Sequence, residues 1–189
     1  MLMTSDKNVK LIDDTGQGAV IVFLRGAAPL SKTVDVLQND FRVLSFSIAA
    51  ATPATEVIDV VTQSLESLNV TEAAVVADRA AATAAVAFAV ARPELVQSLA
   101  LLSPENKVGD VSSLKALVLA IFGTIDPART PDAPRNFCRS IPNCRLMYVY
   151  DAGPAVDDDR PEAVAAALQE FATRREGFLV SAKCGKLYP

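Results

Sequence analysis

The 189-residue chain contains no histidine, and this absence limits the chemistry that its other side chains could perform. Without an imidazole there is no Ser-His-Asp or Cys-His arrangement and no imidazole ligand for a metal. Ser45, Ser47 and Ser103 lie near predicted strand ends, but a serine nucleophile would then need a lysine or carboxylate base. Lys107 and Lys115 are the lysines nearest to Ser103 in the sequence, and nothing in their spacing fixes a contact. One interpretation is therefore a hydrolase with a rearranged serine site, in which the serine nucleophile uses a lysine or a carboxylate as its base.

Three consecutive carboxylates, Asp157, Asp158 and Asp159, are candidate ligands for calcium or magnesium, which prefer oxygen. The run matches no calcium-binding loop, and neighbouring carboxylates point in different directions. We expect a solvated loop that leads into a helix at Arg160 and Pro161. We expect no metal and no other cofactor.

The three cysteines, Cys138, Cys144 and Cys184, have no spacing typical of a metal site. A reactive thiolate would need a cationic neighbour, and Arg139 and Arg145 are adjacent to two of the cysteines only in sequence. We expect ordinary reduced thiols and no structural disulfide.

Composition limits the partners and the compartment. Hydrophobic residues make up 51% of the chain, which favours a single globular domain over residues 1–189. The net charge of −4 and the pI of about 4.9 disfavour nucleic acid, which normally requires a basic face. No window approaches the ~18 consecutive apolar residues of a membrane span. The first residues lack the apolar core of a signal peptide, so we expect a cytoplasmic protein.

The apolar pattern predicts a doubly wound α/β fold. Nearly continuous apolar, β-branched runs predict strands buried on both faces, which favours a parallel sheet, at residues 19–24, 42–48, 73–77, 97–102, 116–122 and 145–150. Helices are predicted at residues 54–68, 80–91 and 161–175. Together these elements predict one three-layer sandwich with a mostly parallel sheet of about six to seven strands. The tail after Phe178 is expected to form a short extended arm.

Ligands of such sheets gather beyond the carboxyl ends of the strands. The residues at those ends are Arg25, Ser47, Asp78, Arg79, Ser103, Asp126 and the loop 151–159. Arg25 and Arg79 should lie on adjacent central strands, and Arg79 precedes a helix N-terminus, which favours anions. One hypothesis is a small carboxylate or phosphate site at Arg25, Arg79, Asp78 and Asp126. The alternative is that Arg79 pairs with Asp126 or Asp78 and fills the site.

Four segments resemble the α/β-hydrolase family, and the similarity covers nearly the whole chain. They are VIVFLRG at 20–26, AAVVADRAAATAA at 73–85 with RPELVQSLALLSP after it, ALVLAIFGTIDP at 116–127, and DAGPAVDDDRPEAVAAA at 151–167. In order, they resemble the strand and turn of the oxyanion hole, the nucleophile elbow with the next strand, the turn of the triad acid, and the loop of the catalytic base. The resemblance implies an α/β-hydrolase fold.

The same resemblance implies that the catalytic residues are missing. The elbow pattern Gly-x-Ser-x-Gly is replaced by Ala-Asp-Arg-Ala-Ala, so the nucleophile position holds Arg79, whose guanidinium stays protonated. Pro154 stands at the position of the base, and Arg25 replaces the histidine of the oxyanion turn. Only the acid remains, as Asp126. We therefore expect a catalytically degenerate member, a pseudoenzyme with a binding, regulatory or assembly role; a small-anion-binding protein using Arg25 and Arg79 is a further alternative.

The family usually carries a cap domain between the strands that match residues 97–102 and 116–122. Only residues 103–115 connect them here, so we expect no cap and an open strand edge. A cap normally covers this edge, and the apolar surface left exposed could be covered by association. This predicts a homodimer or a non-catalytic partner of an active enzyme.

Overall fold

The computed structural model describes residues 8–27, 29–105 and 107–174. The described residues form seven strands and six helices, in chain order β1 (Val9–Thr15), β2 (Val20–Gly26), α1 (Lys32–Leu37), β3 (Arg42–Ile48), α2 (Ala54–Ser67), β4 (Ala73–Ala77), α3 (Ala82–Ala91), β5 (Val96–Leu102), β6 (Leu117–Gly123), α4 (Ala133–Arg139), β7 (Cys144–Val149), α5 (Val156–Asp159) and α6 (Pro161–Arg174). The six predicted strands and three predicted helices are all present, with ends shifted by at most two residues.

The strands form one sheet in the order β1-β3-β2-β4-β5-β6-β7. Every neighbouring pair is parallel except β1 and β3, which are antiparallel. The prediction of a mostly parallel sheet is confirmed. The centre of the sheet is β2 beside β4, so the carboxyl ends of these strands lie next to each other.

Helices cover both faces of the sheet and bury two apolar cores. One core packs α2 and α3 on the sheet through residues such as Val57, Leu65 and Phe88. The other packs α1 and α6 on the opposite face through residues such as Leu37 and Phe171. The β4 strand is buried on both faces, which is why its sequence is continuously apolar rather than alternating.

Four elements were not predicted, and each has a weak local signal. Strand β1 lies at an edge with most of its residues exposed or half-buried, so its sequence VKLIDDT has no buried apolar run. Helices α1, α4 and α5 have only six, seven and four residues, too short for a visible helical period. Tertiary contacts rather than local propensity hold these elements.

The connection between β5 and β6 leaves no room for a cap domain. It runs from residue 103 to residue 116, and none of its described residues belongs to a helix or strand. No helix within the described ranges is long and apolar enough to cross a membrane. The tail after Phe178, for which an extended arm was expected, lies outside the described residues.

Candidate functional site

The turn after β4 is built around the carboxylate of Asp78. Its Oδ1 accepts a hydrogen bond from the backbone N–H of Ala81 at 2.9 Å, and its Oδ2 accepts one from the N–H of Gly26 at 3.0 Å. The same carboxylate thus holds the turn that follows β4 and fixes the end of β2 beside it. A side chain at Gly26 would bring a Cβ within 2.8 Å of the Ala80 Cβ, so the close approach of the two turns requires glycine.

The backbone at Arg79 lacks the strain that the nucleophile turn of a hydrolase carries. Among the described non-glycine residues, positive φ angles occur at Ala51, Asn69, Ser103, Asn143 and Asp151. Arg79 is not one of them. Asp78 to Ala81 therefore form an ordinary turn from strand to helix, and α3 begins at Ala82 rather than at the predicted residue 80.

The Arg79 side chain turns toward the neighbouring strand ends. Its Nη2 donates to Asp126 Oδ2 at 2.6 Å, and its Nε donates to the carbonyl oxygen of Ser103 at 3.0 Å. Asp126 and Ser103 follow β6 and β5, so Arg79 ties the ends of three adjacent strands together. This geometry matches the alternative in which Arg79 pairs with Asp126.

A second arginine, Arg129, completes this cluster and was not identified from the sequence. Its Nε donates to Asp126 Oδ2 at 3.2 Å, and its Nη2 donates to the Pro104 carbonyl at 2.9 Å. Its guanidinium lies 4.7 Å from the centre of the Phe122 ring. The available signal was its position three residues after Asp126 in a turn, the spacing at which charged side chains meet.

Asp126 stays ionised in this surrounding. Burial raises its pKa, but the hydrogen bonds from Arg129, Arg79 and the Ala128 N–H, with the charge of Arg79, outweigh burial. The net effect is a pKa below the ordinary aspartate value. Asp126 is therefore held as the carboxylate between two guanidinium groups.

Arg25 belongs to a different cluster. It lies inside β2 rather than after it, and only 5% of the residue is exposed. Its guanidinium lies 3.1 Å from Asp158, 3.5 Å from Asp157 and 3.7 Å from Asp78, and its Nη1 donates to the Pro29 carbonyl. Because Arg25 and Arg79 share no partner, the structure does not bring the two predicted anion ligands into one site.

The prediction of a solvated loop at Asp157 to Asp159 is wrong. These residues form α5, and Asp157 is 3% exposed because Arg25 and the start of α1 enclose it. Its carbonyl accepts a hydrogen bond from the Thr33 hydroxyl at 2.7 Å. Burial, partly offset by a hydrogen bond from Ser31 and the charge of Arg25, raises the pKa of Asp157. No group of three potential metal-ligating residues occurs in the described part of the chain.

The loop that resembles the one carrying the family's catalytic base is held by hydrogen bonds from its backbone N–H groups to nearby side chains. The Gly153 N–H donates to Asp159 Oδ2 at 2.8 Å, and the Asp151 N–H donates to the Thr124 hydroxyl at 2.9 Å. Pro154 lies exposed in this loop and carries no group that could take a proton.

Two of the three candidate serines, Ser45 and Ser103, are buried. Ser45 lies in the middle of β3, 1% exposed, with a buried hydroxyl that has no hydrogen-bond partner there. Ser103 is also 1% exposed, whereas Lys107 and Lys115 are exposed. No hydrogen bond joins Ser103 to either lysine within these ranges.

The prediction of reduced thiols at Cys138 and Cys144 is wrong, because the structure joins them in a disulfide. Helix α4 ends at Arg139, and the chain then turns directly into β7, which places the two Cα atoms 5.3 Å apart. This separation suits a disulfide. Cys184 lies outside the described residues.

The two arginines of the Asp126 cluster open onto a surface depression of about 490 Å³. It is lined by charged and small side chains from the ends of β4, β5 and β6 and the start of α4, including Arg79, Arg129, Lys107, Glu105 and Asp126. The cluster of Arg79, Arg129 and Asp126 therefore borders an open, polar surface.

Solved structures with the same architecture identify the fold. They include the α/β-hydrolase enzyme MGS-MChE2 from a sediment metagenome of the Mar Chica lagoon, Morocco, with 16% identity, coverage of 86% of this chain and 94% of that chain, and a TM-score of 0.75. A thermophilic esterase from Thermogutta terrifontis matches at 14% identity over 86% and 92% of the two chains, with a TM-score of 0.71. The putative non-heme bromoperoxidase BpoC from Mycobacterium tuberculosis matches at 19% identity over 87% and 95%, with a TM-score of 0.69.

No family model and no curated protein sequence matches the chain. The structural likeness nevertheless makes the fold plain: this protein has the α/β-hydrolase fold, as its sequence motifs predicted.

Proposed function

We propose that the chain is a non-catalytic α/β-hydrolase-fold protein, a pseudoenzyme with a binding, regulatory or assembly role. The ion pair between Arg79 and Asp126 is the observation that supports this most directly. A protonated guanidinium occupies the position of the nucleophile and takes up the carboxylate that would orient a base. Pro154 and the absence of histidine leave no proton acceptor at the position of the base.

A small esterase-like hydrolase with a rearranged site is the competing proposal. The solved relatives include proteins described as an esterase and as a carboxylesterase, and a shared fold does not carry their activity over to this chain. The buried Ser103 and the exposed Lys107 and Lys115 give this proposal no assembled nucleophile and base among the described residues.

Activated acyl esters and a serine-directed phosphonate probe test the two proposals against each other. We expect ester cleavage at the rate of the buffer blank and no covalent labelling, because Ser45 and Ser103 are buried and no hydrogen bond joins either hydroxyl to a base within the described residues. The matched controls are Ser103→Ala and Ser47→Ala. Turnover or labelling that either substitution abolishes would establish a rearranged serine site and contradict the non-catalytic proposal.

An association role is supported by apolar side chains at the carboxyl edge of the sheet. Leu30, Ile125 and Tyr150 follow β2, β6 and β7, and they are 43%, 55% and 81% exposed. A cap domain would cover this edge in many enzymes of the fold. We propose that a second copy of the chain or an active enzyme of the same fold covers it here.

We also propose a cytoplasmic location, against which the Cys138–Cys144 disulfide counts. Disulfides persist mainly in oxidising compartments, so a cytoplasmic location requires that this pair be reduced in the cell. The state of the pair in the cell therefore decides between the two compartments.

A further inference from the structure

The depression beside Arg79 presents hydrogen-bond donors that remain unused. Arg79 and Arg129 each direct Nε and Nη2 inward, toward Asp126 and the carbonyl oxygens that follow β5. The Nη1 atoms of both arginines make no hydrogen bond within the described residues, and the side chains of Arg79 and Arg129 are 34% and 11% exposed. Two guanidinium groups therefore offer free donors on the side that faces solvent.

Lys107 adds a third cation to the same depression. It is exposed and makes no ion pair with any other described residue. The carboxylates that line the depression are Asp126 and Glu105, so three cations face two anions. The local charge is positive although the chain carries a net charge of −4.

The donors are also held in place. The inward hydrogen bonds and the packing of Arg129 on Phe122 fix both guanidinium groups before any ligand arrives. A site whose side chains are already ordered loses little conformational entropy on binding. Asp126 acts here as the anchor of the two arginines.

We infer that this depression binds a small oxyanion, a phosphate or carboxylate group, through Arg79, Arg129 and Lys107. The inference rests on the proposed non-catalytic binding role of this edge of the sheet. It replaces the sequence-based pair, because Arg25 is enclosed by three carboxylates and lies in the other cluster. Arg129 takes its place as the second guanidinium.

Titration with inorganic phosphate at low ionic strength tests the site by thermal unfolding and calorimetry, with sodium chloride at equal ionic strength as the reference. We expect phosphate to raise the unfolding temperature above the chloride reference and to bind with one-to-one stoichiometry. Lys107→Ala should weaken phosphate binding about fivefold, the size expected for one exposed charge. Its matched control is Lys115→Ala, an exposed lysine of the same connection that does not line the depression, and it should leave binding unchanged.

Acetate serves as a second probe. Tighter binding of phosphate would assign a phosphate group as the ligand, and tighter binding of acetate would assign a carboxylate. Glu105→Gln should strengthen either interaction because it removes a facing negative charge. Binding of either probe beyond the chloride reference, together with tighter binding by Glu105→Gln, supports the site.

Two results would overturn the inference. One is that neither phosphate nor acetate stabilises the protein beyond chloride, and the other is that Lys107→Ala and Lys115→Ala weaken binding equally. The two proposals fail separately, because ester turnover would contradict the non-catalytic role and only the anion titrations decide the oxyanion site.

Discussion

We propose that Arg79 and Asp126, at the positions that resemble the nucleophile and the acid of the family, have a structural role rather than a catalytic one. Arg79 binds the carboxylate of Asp126 and the carbonyl of Ser103, so it links the ends of β4, β5 and β6. A serine at the same position could make neither long-range contact. We propose that arginine at this position makes the turn after β4 a cross-link between strands rather than a reactive turn.

The sequence predicted Arg79 and Asp126 because both sit in recognisable motifs. It did not predict Arg129, whose role depends on the fold of the turn after β6. It also placed Asp157 in solvent, because a run of three aspartates gives no sign that one of them packs against a buried arginine. The conformation of a local turn decides the first case, and a contact between distant segments decides the second.

The buried carboxylate of Asp157 leads to a prediction about pH. Its pKa in the folded state is raised, mainly by burial, so the protonated form is favoured more in the folded protein than in the unfolded chain. This contribution to stability is fully present below the unfolded pKa of ~3.9 and is lost as the pH rises through the folded value. Asp126 shows the opposite trend, since its lowered pKa gives stability that is lost as the pH falls.

Asp157→Asn mimics the protonated carboxyl group and should remove the loss of stability that Asp157 causes as the pH rises. We expect the variant to be as stable as the wild type near pH 3 and more stable at pH 7, by about 1.4 kcal/mol for each unit of pKa shift. Urea unfolding at both pH values measures the difference. The control Asp158→Asn, which removes a half-exposed partner of Arg25, should lower stability at pH 7. A destabilised Asp157→Asn at pH 7 would contradict the prediction.

At the level of elements, the strands with long apolar runs could be predicted from the sequence, whereas the short helices and the edge strand β1 could not. The runs at β3 and β4 were predicted with their observed ends, because most of their residues are apolar and buried. Helix α5 has four residues, and β1 is largely exposed along its length, so neither carries a period that could be recognised. The contact with α1 that encloses α5 is visible only in the fold.

Helix α4 and strand β7 are joined by a disulfide, and its loss should be measurable. Cys138 and Cys144 close a loop with a sequence separation of 6, for which the entropy of the unfolded chain predicts a contribution of about 2 kcal/mol. Cys138→Ser with Cys144→Ser should lower the free energy of unfolding by this amount. Cys184→Ser is the control and should leave the pair and the stability unchanged.

Thiol trapping in freshly lysed cells measures whether the pair Cys138 and Cys144 is oxidised or reduced in the cell. Reaction of Cys138 and Cys144 with the trapping reagent would support the cytoplasmic location, and protection of both would contradict it. Mass spectrometry of the labelled peptides separates these results from labelling at Cys184.

At the scale of the whole molecule, the uncovered carboxyl edge predicts association. A stable interface buries about 800 Å² on each partner, and Ile125 and Tyr150 would lie within it at this edge. Light scattering at micromolar concentration should give a dimer or a copurified complex, and Ile125→Ser with Tyr150→Ser should dissociate it. The control Ile12→Ser alters an exposed apolar residue on β1 and should have no effect. A strict monomer without a copurifying partner would contradict the association role.

The position of the disulfide has a consequence for how the sheet meets other chains. Within the described residues, β7 is an edge strand, paired only with β6, and such an edge is a template on which misfolded chains can aggregate. The disulfide fastens the first residue of β7 to α4, which packs beside it. Reduction would free this end of the strand, and we expect it to lower the solubility of the protein as well as its stability.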